Sequence, residues 1–287
     1  MSDIDSYCFT GSQQVKLDEE KACADIDKSK KDKIEEKTEQ NLFKISELQT
    51  KLYAAAKESV LIVLQALDAA GKDGTIKHVM SGVNPQGVDV FSFKTPSAEE
   101  AAHDFLWRYH KRMPAHGKMA IFNRSWYEEV LVVKVHSLYT SYTMPERCIG
   151  DNFFDMKYAE IRNFEQHLYQ NGYRIVKIFL NVSKDEQKRR FLERIEQPEK
   201  NWKFSESDIK ERGYWKEYIS AYQDAVNNTA SEQAPWYILP ADQKWYTHYL
   251  VSQILLQTLE DIDPQYPVLP DQIQKNLESY RKILEHE

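Results

Sequence analysis

The chain has 287 residues, 41% of them hydrophobic, and a formal net charge of −7 at pH 7. This length and apolar content allow a full buried core, so we expect a single α/β domain with appendages. Three scattered cysteines without a C-x-x-C pair argue against a disulfide framework and against a zinc site. The first residues do not form a signal peptide and no segment is apolar enough to span a membrane, so we expect a soluble, cytoplasmic protein.

The negative charge is concentrated at the two ends of the chain. Residues 1–40 carry 11 acidic and 7 basic side chains, and residues 259–287 carry 7 and 3, which leaves residues 41–258 at +1. The centre is therefore free to present a basic groove to a phosphate-bearing ligand. We expect a charged N-terminal arm over residues 1–40, the main domain over 41–262 and a C-terminal helical appendage over 263–287.

An apolar run over residues 60–66 leads into a small-residue turn that contains Gly71 and Lys72. A buried strand, a tight turn, a lysine and a helix follow in this order in phosphate-binding loops, where backbone N–H groups and the lysine bind an anion. The residues that are candidates for binding phosphate or nucleotide are Ala69, Ala70, Gly71, Lys72, Asp73, Gly74 and Thr75. The alternative is an ordinary strand-to-helix turn with a surface lysine.

The loop departs from the strict G-x-x-x-x-G-K-[ST] pattern at two positions. Ala66 replaces the first glycine, and Asp73 replaces the serine or threonine that usually holds Mg²⁺. Another oxygen ligand is then needed, and Asp68, inside the loop, is the candidate.

Hydrophobic periodicity predicts the other elements. An amphipathic helix is expected before the loop, over residues 41–57, and further strands over 88–93, 118–122, 173–181 and 236–239. Further helices are expected from Ser97 to about 113, over 154–171, from Ser183 onward, and from Asp242 to about 261. A charged, aromatic-rich stretch over about 197–230 has the character of a mobile lid.

Polar residues follow the strand at 118–122, where Asn123 and Arg124 precede Glu128. Asn123 is neutral where P-loop proteins usually have an acid that reaches the metal, so Glu128 is a candidate replacement. Arg124 is placed to reach phosphate oxygens. The alternative is that Ser125 caps the next helix and Glu128 completes a capping box.

The helix that Ser183 caps carries a basic cluster that includes Arg189, Arg190 and Arg194, with Phe191 and Leu192 expected to face inward. It follows the carboxyl end of a parallel strand, where α/β proteins bind ligands, so we expect contact with phosphate. The alternative is an ordinary solvated face.

Five motifs, in this order and spacing, resemble the family-2 polyphosphate kinases over about residues 41–260. They are Asp68 to Gly74, Phe122 to Glu128, the Arg189/Arg190/Arg194 helix, Trp202 to Ser205, and Ala234 to Asp242. The version with Asn123 looks like the branch that phosphorylates both AMP and ADP. Trp126 departs from the pattern, since that branch is expected to have histidine there.

The resemblance implies a P-loop kinase-like, three-layer α/β/α fold with a parallel, about five-stranded sheet and a helical lid. The implied reaction is the reversible transfer of a phosphoryl group from inorganic polyphosphate to nucleoside mono- or diphosphates. An ATP-dependent nucleotide or nucleoside kinase of the same fold and a non-catalytic nucleotide-binding switch are the alternatives.

The resemblance also implies roles for individual residues. Asp68, Lys72 and Arg124 would be catalytic, and Mg²⁺ would be the metal, with Mn²⁺ as a second candidate. From the residues themselves we expect Asn123 to join the phosphate and nucleotide contacts, and Asp68 and Glu128 to hold the metal. We expect the polyphosphate contacts to be Lys77, Arg189, Arg190, Arg194 and Lys203.

The expected partners are polyphosphate and AMP, ADP or ATP, with guanine nucleotides as further candidates. Neither nucleic acid nor a membrane is expected as a partner, and the family suggests a homo-oligomer, either a dimer or a tetramer.

Overall fold

A six-stranded sheet forms the centre of the computed structural model, which describes residues 4–17 and 20–287. The strands are β1 (Cys8–Phe9), β2 (Ser59–Ala66), β3 (Val88–Ser92), β4 (Met119–Asn123), β5 (Tyr173–Asn181) and β6 (Trp236–Pro240), in the order β1-β6-β5-β2-β4-β3. Five of them are parallel, and β1 pairs antiparallel with β6 at one edge. The expected α/β fold with five parallel strands is confirmed, and β1 extends it.

The helices formed by the described residues are α1 (Lys31–Ala55), α2 (Lys72–Val79), α3 (Ala98–Ala101), α4 (Trp107–His110), α5 (Val132–Val135), α6 (Phe153–Gln170), α7 (Lys184–Glu196), α8 (Glu206–Gly213), α9 (Trp215–Thr229), α10 (Lys244–Ile262) and α11 (Asp271–Glu285). They flank the sheet in two groups, since α1 and α2 pack on α10, and α5 and α6 pack on α9. None of these helices is both long and apolar enough to cross a membrane.

The central strand β2 lies between β4 and β5, and all eight of its residues are buried. Continuous burial is expected for a strand that is covered by helices on both faces of a parallel sheet. Because the strands are parallel, their carboxyl ends meet at one edge of the sheet. The loops that follow β2, β3, β4, β5 and β6 therefore converge there.

The N-terminal segment is more tightly packed than a solvated arm. Val15 and Leu17 are buried, and their backbone N–H groups donate to side chains of α9, Asn227 (2.7 Å) and Gln223 (3.1 Å). Helix α1 also begins at Lys31 rather than at residue 41. Residues 1–3 and 18–19 of the predicted arm lie outside the described residues.

The helix expected from Ser97 to about 113 is two short helices, α3 and α4. Its predicted beginning is confirmed, because Ser97 and Glu100 form a capping box. The helix ends early because the Asp104 carboxylate accepts a hydrogen bond from the Leu106 N–H (3.0 Å), an alternative to the helical bond.

The range predicted as a lid, about residues 197–230, differs in burial along its length. Helix α9 contributes Tyr222 and Val226 to the core, whereas α8 and the 3₁₀ turn at Pro198–Lys203 have no buried residues. In α7, Phe191 is buried as expected but Leu192 is exposed.

Candidate active site

The loop between β2 and α2 has a strained backbone. Ala69 and Gly71 have positive φ values of 59° and 111°. Glycine is favoured in the second position because it carries no Cβ. Helix α2 begins directly afterwards at Lys72, so its first N–H groups face the space beside the loop, where an anion is stabilised.

Two side chains of α7 hold this loop in place. Arg190 donates from Nη1 to the carbonyl oxygens of Ala69 (3.0 Å) and Ala70 (2.6 Å). Gln187 donates to the carbonyl of Asp68 at 2.9 Å. The other Arg190 N–H groups donate to Glu186 and to the carbonyls of Ala241 and Asp242.

Lys72 lies against the beginning of the loop. Its Nζ donates to the carbonyl oxygens of Ala66 (2.9 Å) and Leu67 (3.5 Å). Burial lowers the pKa of Lys72, and the nearby Asp68 carboxylate opposes that shift. A phosphate oxygen beside Nζ would satisfy this poorly solvated charge.

Arg124 follows β4 with a left-handed backbone, at φ 66°. Its guanidinium lies between two carboxylates, Asp68 Oδ1 at 3.1 Å and Glu128 Oε2 at 3.5 Å. These two negative charges, Glu128 first, raise the pKa of Arg124 above its ordinary value. Arg124 and the phosphate loop are thus joined through Asp68.

Asn123, the last residue of β4, donates from Nδ2 to Asp73 Oδ1 at 2.9 Å. The strand that neighbours β2 therefore contacts the first turn of α2. The acid at this contact comes from α2, because Asp73 stands where the usual pattern has a hydroxyl.

A groove of about 830 Å³ joins these groups. Its walls carry eight lysines or arginines and three acidic residues, although the whole chain is negatively charged. The predicted site residues that line it are Asp68, Ala69, Ala70, Gly71, Lys72, Asp73, Gly74, Asn123, Arg124, Arg190, Arg194 and Lys203. This charge distribution suits a ligand with several phosphates.

Three lysines of the groove were not predicted from the sequence: Lys94, Lys200 and Lys244. Lys94 comes two residues after β3 and Lys244 four residues after β6. Their position beyond the carboxyl ends of parallel strands is the signal that would have identified them. Burial, with Arg190 nearby, lowers the pKa of Lys244.

Some predicted contacts are not brought to the groove in this structure. Thr75 is buried within α2, and Lys77 is exposed but does not line the groove. Arg189 is 60% exposed and pairs with Glu186 and Glu193 on its own helix. Arg190 lines the groove, but it is 5% exposed and donates to other protein groups, so its position fits a brace for the loop better than a contact for polyphosphate.

Two other cations of the groove form ion pairs with carboxylates of the protein. Arg194 pairs with Asp208 of α8 at 3.2 Å, and Lys200 pairs closely with Glu193. A polyphosphate that binds these cations has to replace the carboxylates.

Ser125 caps the turn after β4 as the alternative predicted, but Glu128 does not complete a capping box. Ser125 Oγ accepts from the Tyr127 N–H at 3.3 Å, at the beginning of a 3₁₀ turn. Glu128 instead faces Arg124. When the side-chain amide of Gln65 is oriented with its nitrogen toward this carboxylate, it donates to Glu128 Oε1 at 3.1 Å. Burial raises the pKa of Glu128, and Arg124 opposes the shift.

The oxygen ligands that suit Mg²⁺ in the groove are the carboxylates of Asp68 and Asp73. The described residues contain no cluster of three or more His, Cys, Asp or Glu side chains that could hold a metal by itself. Mg²⁺ is commonly held by one or two carboxylates together with phosphates and waters, so this pair fits. Glu128 does not line the groove, and its position suits orienting Arg124 better than binding a metal.

Comparisons with known proteins agree with this geometry. The family model "Polyphosphate kinase 2 (PPK2)" matches residues 28–267. An ADP-polyphosphate phosphotransferase of Rhodopseudomonas palustris is 50% identical over 243 residues, 84% of each chain. An AMP/ADP-polyphosphate phosphotransferase of Meiothermus ruber is 47% identical over 224 residues, 78% of this chain and 80% of the relative.

A solved structure is similar over the whole chain. Polyphosphate kinase 2 from Arthrobacter aurescens TC1 matches with a TM-score of 0.88 at 34% identity, covering 100% of this chain and 98% of that one. Because the family match covers more than half of the chain and a relative is 50% identical over 84% of it, the protein belongs to the polyphosphate kinase 2 family.

Proposed function

We propose that this protein transfers a phosphoryl group from inorganic polyphosphate to nucleoside mono- and diphosphates, converting AMP to ADP and ADP to ATP, and that the reaction is reversible. The observation that carries the proposal is a single groove in which Lys72 and Arg124 adjoin a further row of cations. A loop for one phosphate group alone would not need that row. The names of the two curated relatives support both acceptors.

The chemistry asks little of the protein beyond position and charge. The attacking oxygen of a nucleotide phosphate is already ionised, so no general base is needed. The loop N–H groups, Lys72 and Arg124 would surround the transferring group and neutralise charge in a loose, in-line transfer. Asp68 and Asp73 would hold Mg²⁺, which supplies further neutralisation of phosphate charge when bound.

We assign the binding of the polyphosphate chain, the donor, to the cations beyond the phosphate loop. Arg194 on α7, Lys200 and Lys203 in the following turn, and Lys244 at the beginning of α10 line the same groove as Lys72. A chain with about one charge per phosphate gains most from a row of separate cations. The nucleotide then takes the part of the groove beside Asn123 and Lys94.

The decisive experiment is a product analysis with long-chain polyphosphate as the sole donor. AMP, ADP, GMP and GDP are offered separately with Mg²⁺ or Mn²⁺, and the nucleotides are separated by chromatography. We expect ADP and ATP from the adenine acceptors, and no product from Lys72→Ala. Turnover with a nucleoside triphosphate as donor but none with polyphosphate would refute the proposal, as would nucleotide binding without turnover.

We also propose a cytoplasmic homo-oligomer of two or four chains. The three cysteines are free thiols, which fits a reducing compartment. Light scattering coupled to size-exclusion chromatography gives the number of chains, and a monomeric mass at assay concentration would contradict the oligomer.

A further inference from the structure

A buried ion pair lies behind the Arg124 turn. Glu165 of α6 and Lys177 of β5 are 2.7 Å apart, and the Lys177 side chain is 0% exposed. Lys177 Nζ also donates to the Tyr127 hydroxyl at 3.1 Å and to the carbonyl of Thr229 at 2.8 Å. All three donors of the ammonium group are therefore satisfied inside the protein.

The other oxygen of Glu165 binds two consecutive residues of the polar motif after β4. Glu165 Oε1 accepts from Trp126 Nε1 at 3.1 Å and from the Tyr127 hydroxyl at 2.7 Å. Trp126 and Tyr127 lie two and three residues after Arg124, and both are fully buried. Trp126, the departure from the family pattern, thus has a defined partner.

Arg124 needs such an anchor because its backbone is strained. A residue other than glycine with φ near 66° is strained and persists only where its surroundings fix it. On one side the Arg124 N–H donates to the carbonyl of Leu64 at 3.1 Å. On the other side the chain is fixed by Trp126 and Tyr127 through Glu165.

We propose that Glu165 and Lys177 are positioning residues for Arg124. They hold the left-handed turn so that its guanidinium stays beside Asp68 in the groove. Stability alone is a weak reason for a buried ion pair, because well-packed apolar residues often replace such a pair without loss. The inference rests on the proposed function for its catalytic readout.

Two conservative variants test the inference. Trp126→Phe and Tyr127→Phe each remove one donor to Glu165 and keep an aromatic ring. The matched control is Tyr173→Phe, which removes a partly buried hydroxyl donor to the Pro114 carbonyl (3.1 Å) and no contact with Glu165 or Lys177. We expect kcat to fall about tenfold or more in the first two, with KM for nucleotide within twofold, and both constants to stay within twofold in the control.

The same substitutions are then repeated in an Arg124→Ala background, with thermal unfolding measured for every variant. Once the guanidinium is absent, the further loss from Trp126→Phe or Tyr127→Phe should shrink to less than twofold. The same fold-loss in both backgrounds would overturn the inference, because a general weakening of the fold does not depend on Arg124. Equal losses in Tyr173→Phe would overturn it as well.

A binding readout separates this inference from the proposed function. Tripolyphosphate affinity, measured by calorimetry across the same variants, depends on a positioned Arg124 but requires no turnover. A wild-type protein that binds tripolyphosphate without transferring phosphate would refute the function alone. Affinities that fall in the Trp126 and Tyr127 variants whether or not Arg124 is present would refute the positioning role alone.

Discussion

At the scale of single residues, Lys72 shows how the loop is prepared for an anion. Its ammonium group now donates to two carbonyls of the loop, Ala66 and Leu67, in a poorly solvated position. A phosphate that enters the groove offers negatively charged acceptors to the same nitrogen. The gain should be largest in the transition state, when charge is redistributed over the transferring group.

We expect Lys72→Ala to lower kcat by about 10²–10³-fold or more while the fold is retained. The matched control is Lys77→Ala, on the same helix but outside the groove, which should keep its rate within twofold. Steady-state kinetics and far-UV circular dichroism measure both. Full activity in Lys72→Ala, or an equal loss in both variants, would contradict the assignment.

Two adjacent arginines should differ sharply in what they do for stability. Arg190 is buried and spans carbonyls of two loops, which a single ammonium group cannot do, so Arg190→Lys should lower the free energy of unfolding by about 2–4 kcal/mol. Arg189 is mostly exposed, and Arg189→Lys should change the free energy of unfolding by less than about 0.5 kcal/mol. Urea unfolding followed by fluorescence measures both, and similar values would contradict the role of Arg190 as a brace.

At the scale of elements, α8 is held mainly by polar contacts. None of its residues is buried, and its contacts include Arg194 with Asp208, Arg212 with Gln187, and His136 with Glu211. Elements with few buried apolar contacts open at low free energy. We therefore expect helix α8, within the range predicted as a lid, to move when the donor binds.

Asp208→Asn should improve polyphosphate binding, because it releases Arg194 from an internal carboxylate. We expect KM for polyphosphate to fall by about two- to fivefold, the range that a partly exposed ion pair allows. Glu206→Gln, on the same exposed helix, is the control for a simple gain of net charge. If both variants lower KM equally, competition for Arg194 is not the cause.

The elements also show how far sequence reasoning reaches. Long buried runs such as residues 60–66 predicted the parallel strands, and five ordered motifs predicted the family. The two-residue strand β1 is too short to produce a periodic pattern. The break between α3 and α4 depends on one Asp104 hydrogen bond, which competes with a helix that the pattern favours.

The site was predictable in its residue types but less so in their partners. The phosphate loop, Asn123 and Arg124 were found because their chemistry follows from strand ends. Arg189 and Arg190 look alike in sequence, yet one faces solvent and the other faces the loop. The difference is set by contacts of Arg190 with the phosphate loop and with the turn after β6. Glu165 and Lys177 gave no signal, since a pair 12 residues apart on a helix and a strand meets only in the folded chain.

At the scale of the whole molecule, the basic groove lies in a chain of charge −7. Polyphosphate binding should therefore depend on local charge and be sensitive to salt. At about 0.1 M, salt screens interactions between exposed charges that are more than about 10 Å apart. We expect KM for long polyphosphate to rise steeply with potassium chloride between about 0.05 and 0.5 M. KM for AMP, which presents fewer charges, should rise several times less on a logarithmic scale, and equal slopes would contradict binding along a row of cations.

The fluorescence of Trp202 can report the binding of polyphosphate. This indole is 78% exposed beside Lys203, whereas Trp126 and Trp236 are sealed in the interior. A water-soluble quencher such as iodide should therefore reach Trp202 far more easily than those two. Lys203, which lies over the Trp202 ring, lines the groove, so titration with tripolyphosphate should reduce the quenching of Trp202. Trp202→Phe should remove the largest part of the quencher-accessible emission, so the protein carries an optical reporter of donor occupancy.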